Sequence, residues 1–149
     1  MPNYCHNTLI LKCEDVRVLQ HFFNKNRITE EDVQINGGRV MNLSFENMVS
    51  RASVEVLQKQ YNTDERIYDF YWGTKWDAID VVYNLNENEK TLVYSFDTAW
   101  NPPYYWLQHV AKRYKQVEFI LQFCEECIEG ETTIVFKNGV EVSCDINRA

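Results

Sequence analysis

The amino-acid sequence predicts a single α+β domain of the ferredoxin-like class, spanning residues 1–149. Two observations indicate this class. Apolar residues repeat at helical spacing in some segments and at strand spacing in others, and these segments follow one another in the order βαββαβ. In this arrangement two helices cover one face of an antiparallel sheet. A helical insertion over about residues 26–71 follows the first helix, and a β-hairpin over about residues 131–145 ends the chain.

The N-terminal half begins with a strand and a helix. Residues 8–12 are a short β-prone run, and apolar residues repeat every three or four positions over residues 16–23, as on one buried helix face. Within the insertion, residues 36–38 form a turn and residues 41–45 alternate like a strand. Residues 53–61 predict a further helix that begins at a serine cap.

The C-terminal half has clearer patterns. Residues 79–85 and 91–96 alternate in polarity and are joined by a polar loop, which predicts a hairpin. Asn101-Pro102-Pro103 then predicts a helix start with Asn101 as the N-cap. A buried stripe over residues 106–114 continues that helix, and residues 117–123 alternate as the next strand.

The end of the chain carries the strongest turn signal. Lys137-Asn138-Gly139 separates the β-prone residues 132–136 and 140–144, and Asn-Gly between two strands predicts a tight hairpin. An exposed hairpin edge can pair with another chain, and aromatic-rich insertions can be interfaces. A homodimer through either segment is therefore an open alternative.

The composition excludes several classes of protein. No run approaches the roughly 18 apolar residues that span a bilayer, and the N-terminus lacks the pattern of a signal peptide. We therefore expect a cytoplasmic protein with no membrane partner. The net charge of −7 argues against direct nucleic-acid binding, which depends on basic residues. The order βαββαβ also occurs in RRM domains, which stack RNA bases on exposed aromatic side chains of the sheet. Here the aromatic side chains within residues 91–96 lie on the face assigned to the core.

No catalytic or metal-binding constellation is evident, so we expect no enzymatic activity and no cofactor. The histidines His6, His21 and His109 have no partners that the sequence identifies, and no nucleophile or phosphate-loop motif is present. Cys124-x-x-Cys127 is half of a zinc site without a second half, so we interpret the cysteines as ordinary thiols and predict no metal.

Three stretches resemble a known family. They are Pro2-Asn3-Tyr4-Cys5-His6-Asn7, Trp72-Gly73-Thr74-Lys75-Trp76-Asp77-Ala78 and Phe96-Asp97-Thr98-Ala99-Trp100-Asn101-Pro102-Pro103. Their order resembles the YubB-like family of phage and conjugative-plasmid proteins, which has a ferredoxin-like domain. Tyr4 replaces the tryptophan of the family, and the family's C-terminal ending is replaced by Cys124-Glu125-Glu126-Cys127 and the hairpin. The resemblance implies a mobile genetic element in a bacterial host but no particular biochemical activity.

The two tryptophan-bearing motifs are candidate ligand-binding segments. They precede a strand and a helix whose ends can approach each other, and polar side chains among aromatic ones are typical of small-ligand pockets. The candidate ligand-binding residues are Trp72, Lys75, Trp76, Asp77, Asp97 and Trp100. The alternative interpretation is structural: the indoles pack the core and the polar groups hold backbone donors.

Acidic patches are candidate partner-binding segments. The candidate residues are Glu30, Glu31, Glu125, Glu126 and Glu129. An acidic surface can bind a basic groove of a host enzyme, with charge steering the encounter. Combined with the setting that the resemblance implies, this predicts a non-enzymatic accessory protein that binds and inhibits a host protein, such as a CRISPR nuclease. The alternative is a small-ligand or nucleotide-binding domain with a tryptophan-lined pocket.

Overall fold

The computed structural model describes residues 3–50, 72–126 and 128–147. The strands are β1 (Tyr4–Lys12), β2 (Ile79–Asn86), β3 (Thr91–Ala99), β4 (Glu118–Glu125), β5 (Glu131–Lys137) and β6 (Val140–Asn147). The helices are α1 (Val16–Lys25), α2 (Glu30–Asn36) and α3 (Tyr104–Arg113), with a 3-10 turn at Phe45–Asn47. The helix predicted for residues 53–61 lies outside the described residues.

The strands form one six-stranded sheet in the order β2-β3-β1-β4-β5-β6. Every neighbouring pair is antiparallel, so the predicted antiparallel sheet of an α+β chain is confirmed. β1 lies between β3 and β4. The N-terminal end of β1 therefore meets the C-terminal ends of both neighbours.

The hydrophobic core lies between the sheet and the helices α1 and α3. Phe22 of α1 is fully buried, and its ring centroid lies 6.3 Å from that of Tyr94, 6.5 Å from that of Trp106 and 5.8 Å from that of Phe119. Burial of such a side chain contributes about 1.5–3 kcal/mol to stability. The predicted buried stripes of both helices are confirmed, with Leu107 among the buried residues of α3.

The insertion differs from its prediction in two respects. The strand predicted for residues 41–45 is wrong: Met41 makes one isolated bridge to Ile28, and the chain then turns into the 3-10 turn. Helix α2 was not predicted, because its residues lack an apolar period and none of them is buried. Its stability is local. Thr29 and Asp32 form a capping box, and acidic residues occupy the first turn.

The start of α3 also differs from its prediction. The N-cap position belongs to Pro103, without a side-chain cap, and not to Asn101. Thr98 Oγ1 instead donates to the Asn101 carbonyl oxygen at 2.6 Å, and Asn101 N donates to the Ala99 carbonyl oxygen at 2.8 Å. These bonds hold Asn101 in a turn before the helix.

The C-terminal hairpin is confirmed. Asn138 and Gly139 occupy its two-residue turn with φ angles of 52° and 80°. Two successive positive φ angles define the type I′ turn, which asparagine and glycine adopt at low cost.

Candidate functional site

The two tryptophan-bearing motifs contact each other directly. Thr74 Oγ1 donates to the Ala99 carbonyl oxygen at 2.7 Å. Gly73 has a φ of +85°, and a Cβ added there would lie 2.9 Å from the Pro102 carbonyl oxygen and 2.9 Å from the Tyr104 nitrogen. We call this contact between the two segments the motif junction. It joins the residues that precede β2 to the first residues of α3.

Trp72 lies inside the core at the motif junction. Its side chain is 1% exposed, its Nε1 donates to the Val49 carbonyl oxygen at 3.0 Å, and its ring packs on Phe45 with centroids 5.7 Å apart. The indole N–H therefore has a hydrogen-bond acceptor within the protein, and the rest of the ring is buried. This geometry corresponds to the structural interpretation of Trp72, and a ligand-binding role for it stays a prediction.

Asp77 accepts hydrogen bonds from the first residues of the 3-10 turn and from its N-cap, Ser44. Its Oδ1 accepts from Phe45 N at 2.7 Å and Ala78 N at 2.8 Å, and its Oδ2 accepts from Ser44 Oγ at 2.8 Å and Glu46 N at 3.4 Å. Burial raises the pKa of the Asp77 carboxyl, and the donors from Phe45 and Ser44 act in the opposite direction. The carboxyl group is occupied by local backbone and hydroxyl donors.

Three aromatic side chains near the motif junction remain exposed: Trp76 by 43%, Trp100 by 50% and Tyr105 by 41%. Trp100 has a φ of +67°, and its backbone nitrogen donates to the Asn3 carbonyl oxygen at 2.8 Å. The left-handed region costs a residue with a side chain about 1–2 kcal/mol, and such strain is concentrated at functional sites. Lys75 is exposed beside Trp76.

Asp97 belongs to a charged cluster at the same end of the sheet. His6 Nδ1 donates to Asp97 Oδ1 at 2.7 Å, and His6 Nε2 lies 3.8 Å from Glu126 Oε1. Because a carboxylate only accepts hydrogen bonds, Nδ1 carries the proton in this contact. His6 therefore has a partner that the sequence did not identify. His21 also has one, since its Nδ1 lies 3.1 Å from the Tyr114 hydroxyl.

A thiol, that of Cys124, lies in the same cross-strand row as His6 and Asp97. Cys124 on β4 and Asp97 on β3 are the cross-strand partners of His6. Thiol, imidazole and carboxylate are the groups of a cysteine nucleophile site, which requires the imidazole to hydrogen-bond the thiol. No such bond links Cys124 to His6 in the part of the chain that the structure describes, and His6 Nε2 faces Glu126 instead. The row thus has the geometry of a hydrogen-bonded contact between strands.

The same row borders a shallow cavity of about 270 Å³ on the sheet face opposite the helices. Polar side chains of the central strands form much of its wall, including Thr8, Ser95 and Gln122. Three carboxylates also line it, from Asp80, Asp97 and Glu131. The cavity is therefore better suited to cationic than to phosphorylated groups.

The acidic candidates lie at two separate places. Glu125 ends β4, with Glu126 and Glu129 following it, and Glu126 N donates to the Tyr4 carbonyl oxygen at 3.2 Å. Glu30 and Glu31 form the first turn of α2, where negative charge stabilises the helix. The first group lies at the same end of β1 as Trp100, because Glu126 N bonds to Tyr4 and Trp100 N bonds to Asn3.

We define the β1-end surface as Trp76, Trp100, Tyr105, His6, Asp97, Glu125 and Glu126. Backbone bonds from Trp100 to Asn3 and from Glu126 to Tyr4, with the hydrogen bond of His6 to Asp97, hold Trp100, Glu126 and Asp97 at the N-terminal end of β1. Trp76 and Tyr105 adjoin the motif junction, where Thr74 donates to Ala99 at the end of β3. Sequence reasoning named most of them separately. It did not identify Tyr105 or His6 as members of one surface.

Burial limits the chemistry of Cys5. Cys5 is fully buried, and this burial raises the pKa of its thiol to about 12. Among the described residues, no group of three or more His, Cys, Asp or Glu side chains forms a metal-binding cluster. Cys127 lies outside those residues, so the absence of a metal stays a prediction.

The architecture and sequence define a ferredoxin-like domain. Residues 67–149, more than half of the chain, match the family described as the ferredoxin-like domain in Api92-like protein. The chain belongs to this family, and the predicted ferredoxin-like class is confirmed. The resemblance to the YubB-like family and the phage or plasmid setting stay predictions.

A solved structure supports the same fold. The crystal structure of the protein Api92 from Yersinia pseudotuberculosis matches with a TM-score of 0.56 and 14% sequence identity. The match covers 82% of this chain and 47% of Api92, so the chain corresponds to about half the length of that protein. No curated protein sequence matches the chain. Within the described residues, no helix combines the length and apolar character needed to cross a bilayer.

Proposed function

We propose that this domain is a non-enzymatic protein-binding module that uses the β1-end surface to bind a basic partner. The observation that carries the proposal is the pair of half-exposed tryptophans, Trp76 and Trp100, at an end of the sheet that also presents carboxylates. A surface of aromatic anchors with a charged rim is the usual anatomy of a protein interface.

The aromatic side chains supply the apolar part of this interface. Tryptophan and tyrosine are enriched among the residues whose truncation weakens protein complexes most. Trp100 is held in a left-handed backbone conformation by its bond to Asn3. With the backbone fixed in this way, only the two side-chain torsions of the indole remain to be ordered on binding, which favours affinity.

The carboxylates supply the selectivity for a basic partner. Glu125 and Glu126 at the end of β4, and Asp97 across β1 from them, carry negative charge within a protein of net charge −7. Such charge accelerates encounter with a basic surface and disfavours acidic ones. Nucleic acid is disfavoured for the same reason. A nucleotide ligand is also poorly supported, because Trp72 is buried and carboxylates line the neighbouring cavity.

The partner in this proposal is a host protein that the domain inhibits, for example a nuclease of a defence system such as CRISPR. Support comes from the acidic charge and from the mobile-element setting that the family resemblance implies. A nuclease has a basic channel for nucleic acid, and an acidic domain with aromatic anchors can occupy its entrance.

Affinity purification of the tagged protein from bacterial lysate, with mass spectrometry, tests the proposal. We expect one stoichiometric partner. Trp76→Ala and Trp100→Ala should each weaken its binding by about tenfold, equivalent to about 1.4 kcal/mol. Ile35→Ala is the control, since Ile35 is also a large apolar residue, 72% exposed, but lies on α2. Nuclease activity of the captured protein, measured with and without the domain, tests inhibition.

Two outcomes would contradict the proposal. One is purification of the protein alone. The other is equal loss of binding in the alanine variants of Trp100 and Ile35, which would indicate adhesion through any exposed apolar residue. Circular dichroism of each variant establishes that it is folded.

Charge reversal locates the interface. The double variant Glu125→Lys, Glu126→Lys should weaken partner binding by tenfold or more at low salt. The effect should be smaller at high salt, because the screening length falls from about 30 Å at 0.01 M to about 3 Å at 1 M. Glu30→Lys, Glu31→Lys changes the net charge equally but lies on α2. It should leave binding unchanged and cost α2 about 0.3–1 kcal/mol per position. Equal losses in both variants would assign the effect to net charge alone.

A further inference from the structure

β6 is an exposed edge of the sheet. It ends the strand order, and Val140, Val142 and Ile146 are 58%, 53% and 60% exposed. Edge strands of soluble proteins are usually short, charged or interrupted, because an open edge pairs with other strands. The opposite edge, β2, is interrupted by a bulge after Ile79. β6 has eight residues, and beyond the extra residue Val142 it pairs regularly with β5 over residues 143–147.

We propose that β6 pairs antiparallel with β6 of a second copy of this chain, with Cys144 on the twofold axis. This proposal goes beyond the partner binding proposed above and does not depend on it. In such a pair, residues directly opposite each other point to the same face, so each register is defined by the residue that meets its own copy.

Charge selects among the registers. With Asp145 on the axis, two carboxylates would lie directly opposite each other, and with Ser143 on the axis, Glu141 would oppose Asp145. Like charges directly opposite each other destabilise a strand pair. With Cys144 on the axis, Val142 opposes Ile146 and Ser143 opposes Asp145, so no pair of like charges occurs. Registers centred on Val142 or Ile146 also avoid like charges, but they pair fewer residues of β6. The Cys144 register therefore pairs the greatest length of the strand without opposing like charges.

The neighbouring structure favours the same register. Cys144 is the cross-strand partner of Ile134, which is 5% exposed and belongs to the core. Pairing at Cys144 would therefore continue the apolar row of the helix-covered face into the second copy. Glu141 Oε1 accepts from the Tyr104 hydroxyl at 2.6 Å, which holds this carboxylate beside α3.

The pairing is expected to be weak and reversible. One short strand pair buries less than the roughly 1,200–2,000 Å² of a stable interface. Monomer and dimer should therefore exchange, with the dimer populated as protein concentration rises.

Cross-linking of the purified protein with a short bis-maleimide, at increasing concentration, tests the register. In Cys124→Ser, Cys127→Ser protein the exposed Cys144 remains while Cys5 and Cys13 are buried, and we expect a covalent dimer. Adding Cys144→Ser should abolish it. Transferring the thiol to Val140, as Val140→Cys with Cys144→Ser, should also prevent it, because two such thiols would lie about 26 Å apart at about 3.3 Å per residue.

Sedimentation gives an independent measurement. The wild-type mass should rise with concentration, Val142→Lys should remain monomeric, and the control Ile35→Lys should behave as wild type. A constant monomer mass would overturn the proposal, as would cross-linking at Val140→Cys equal to that at Cys144. A dimer that persists in Val142→Lys would place the contact elsewhere and also overturn it.

Discussion

Gly73→Ala is expected to lower the free energy of unfolding by about 2–5 kcal/mol. The left-handed φ of +85° contributes about 1–2 kcal/mol of this cost for a residue with a Cβ. Steric overlap adds about 1–3 kcal/mol, because the new methyl group would lie 2.9 Å from backbone atoms of Pro102 and Tyr104. These atoms belong to the start of α3, so relief requires the helix to move. Urea unfolding measures the change.

Gly37→Ala is the matched control. Gly37 also has a positive φ, +77°, but a Cβ added there would have no atom within 4 Å. Its backbone, with φ 77° and ψ −170°, lies in a region that essentially only glycine adopts, so the expected cost is about 1–3 kcal/mol from backbone strain alone. The difference between the two variants measures the packing at the motif junction. Equal costs would show that the contact between the Trp72–Ala78 and Phe96–Pro103 segments contributes little to stability.

Some elements of this fold are determined by interactions between residues close in the sequence. The hairpin at Asn138-Gly139 and the buried stripe of α1 were predictable, because turn chemistry and helical periodicity act within a few residues. Helix α2 was missed because its stability comes from a capping box with aspartate at Asp32, whereas the usual signature has glutamate or glutamine there.

The incorrect predictions lie where residues distant in the sequence determine the backbone conformation. Residues 41–45 alternate like a strand, but Asp77, more than thirty positions later, accepts the N–H groups of Phe45 and Glu46 and turns the chain. The prediction that Asn101 is the N-cap of α3 is wrong for a related reason, since the Thr98 hydroxyl donates to the Asn101 carbonyl oxygen. A local propensity is a weak guide when tertiary contacts supply a competing partner.

The candidate surface was predictable only in parts. The tryptophan motifs and the acidic residues at Glu125 and Glu126 were visible in the sequence. Their assembly at one end of β1 depends on the registers of β1 with β3 and β4, which pair His6 with Asp97 and Cys124. A shift of one residue would move each of these side chains to the other face. The sequence could therefore name residues but could not select Trp76 and Trp100 as exposed and Trp72 as buried.

Asp77→Asn is expected to cost about 2–3 kcal/mol, although it changes the side chain by one atom. Each carboxylate oxygen of Asp77 accepts two donors, Phe45 N and Ala78 N on one side and Ser44 Oγ and Glu46 N on the other. An amide has one accepting oxygen, so its NH₂ group must face one of these donor pairs. A buried donor left unsatisfied costs about 1–3 kcal/mol.

Asp15→Asn is the control for this substitution. Asp15 caps α1 by accepting from Arg17 N at 3.0 Å, and it pairs with the Arg17 guanidinium in an exposed position. Asparagine caps a helix about as well as aspartate, and an exposed ion pair contributes about 0–1 kcal/mol, so the free energy of unfolding should change by less than about 1 kcal/mol. Chemical unfolding at neutral pH compares the two variants. If Asp77→Asn were as mild as Asp15→Asn, the carboxylate would not hold the 3-10 turn, and Asp77 would again be a candidate for ligand binding.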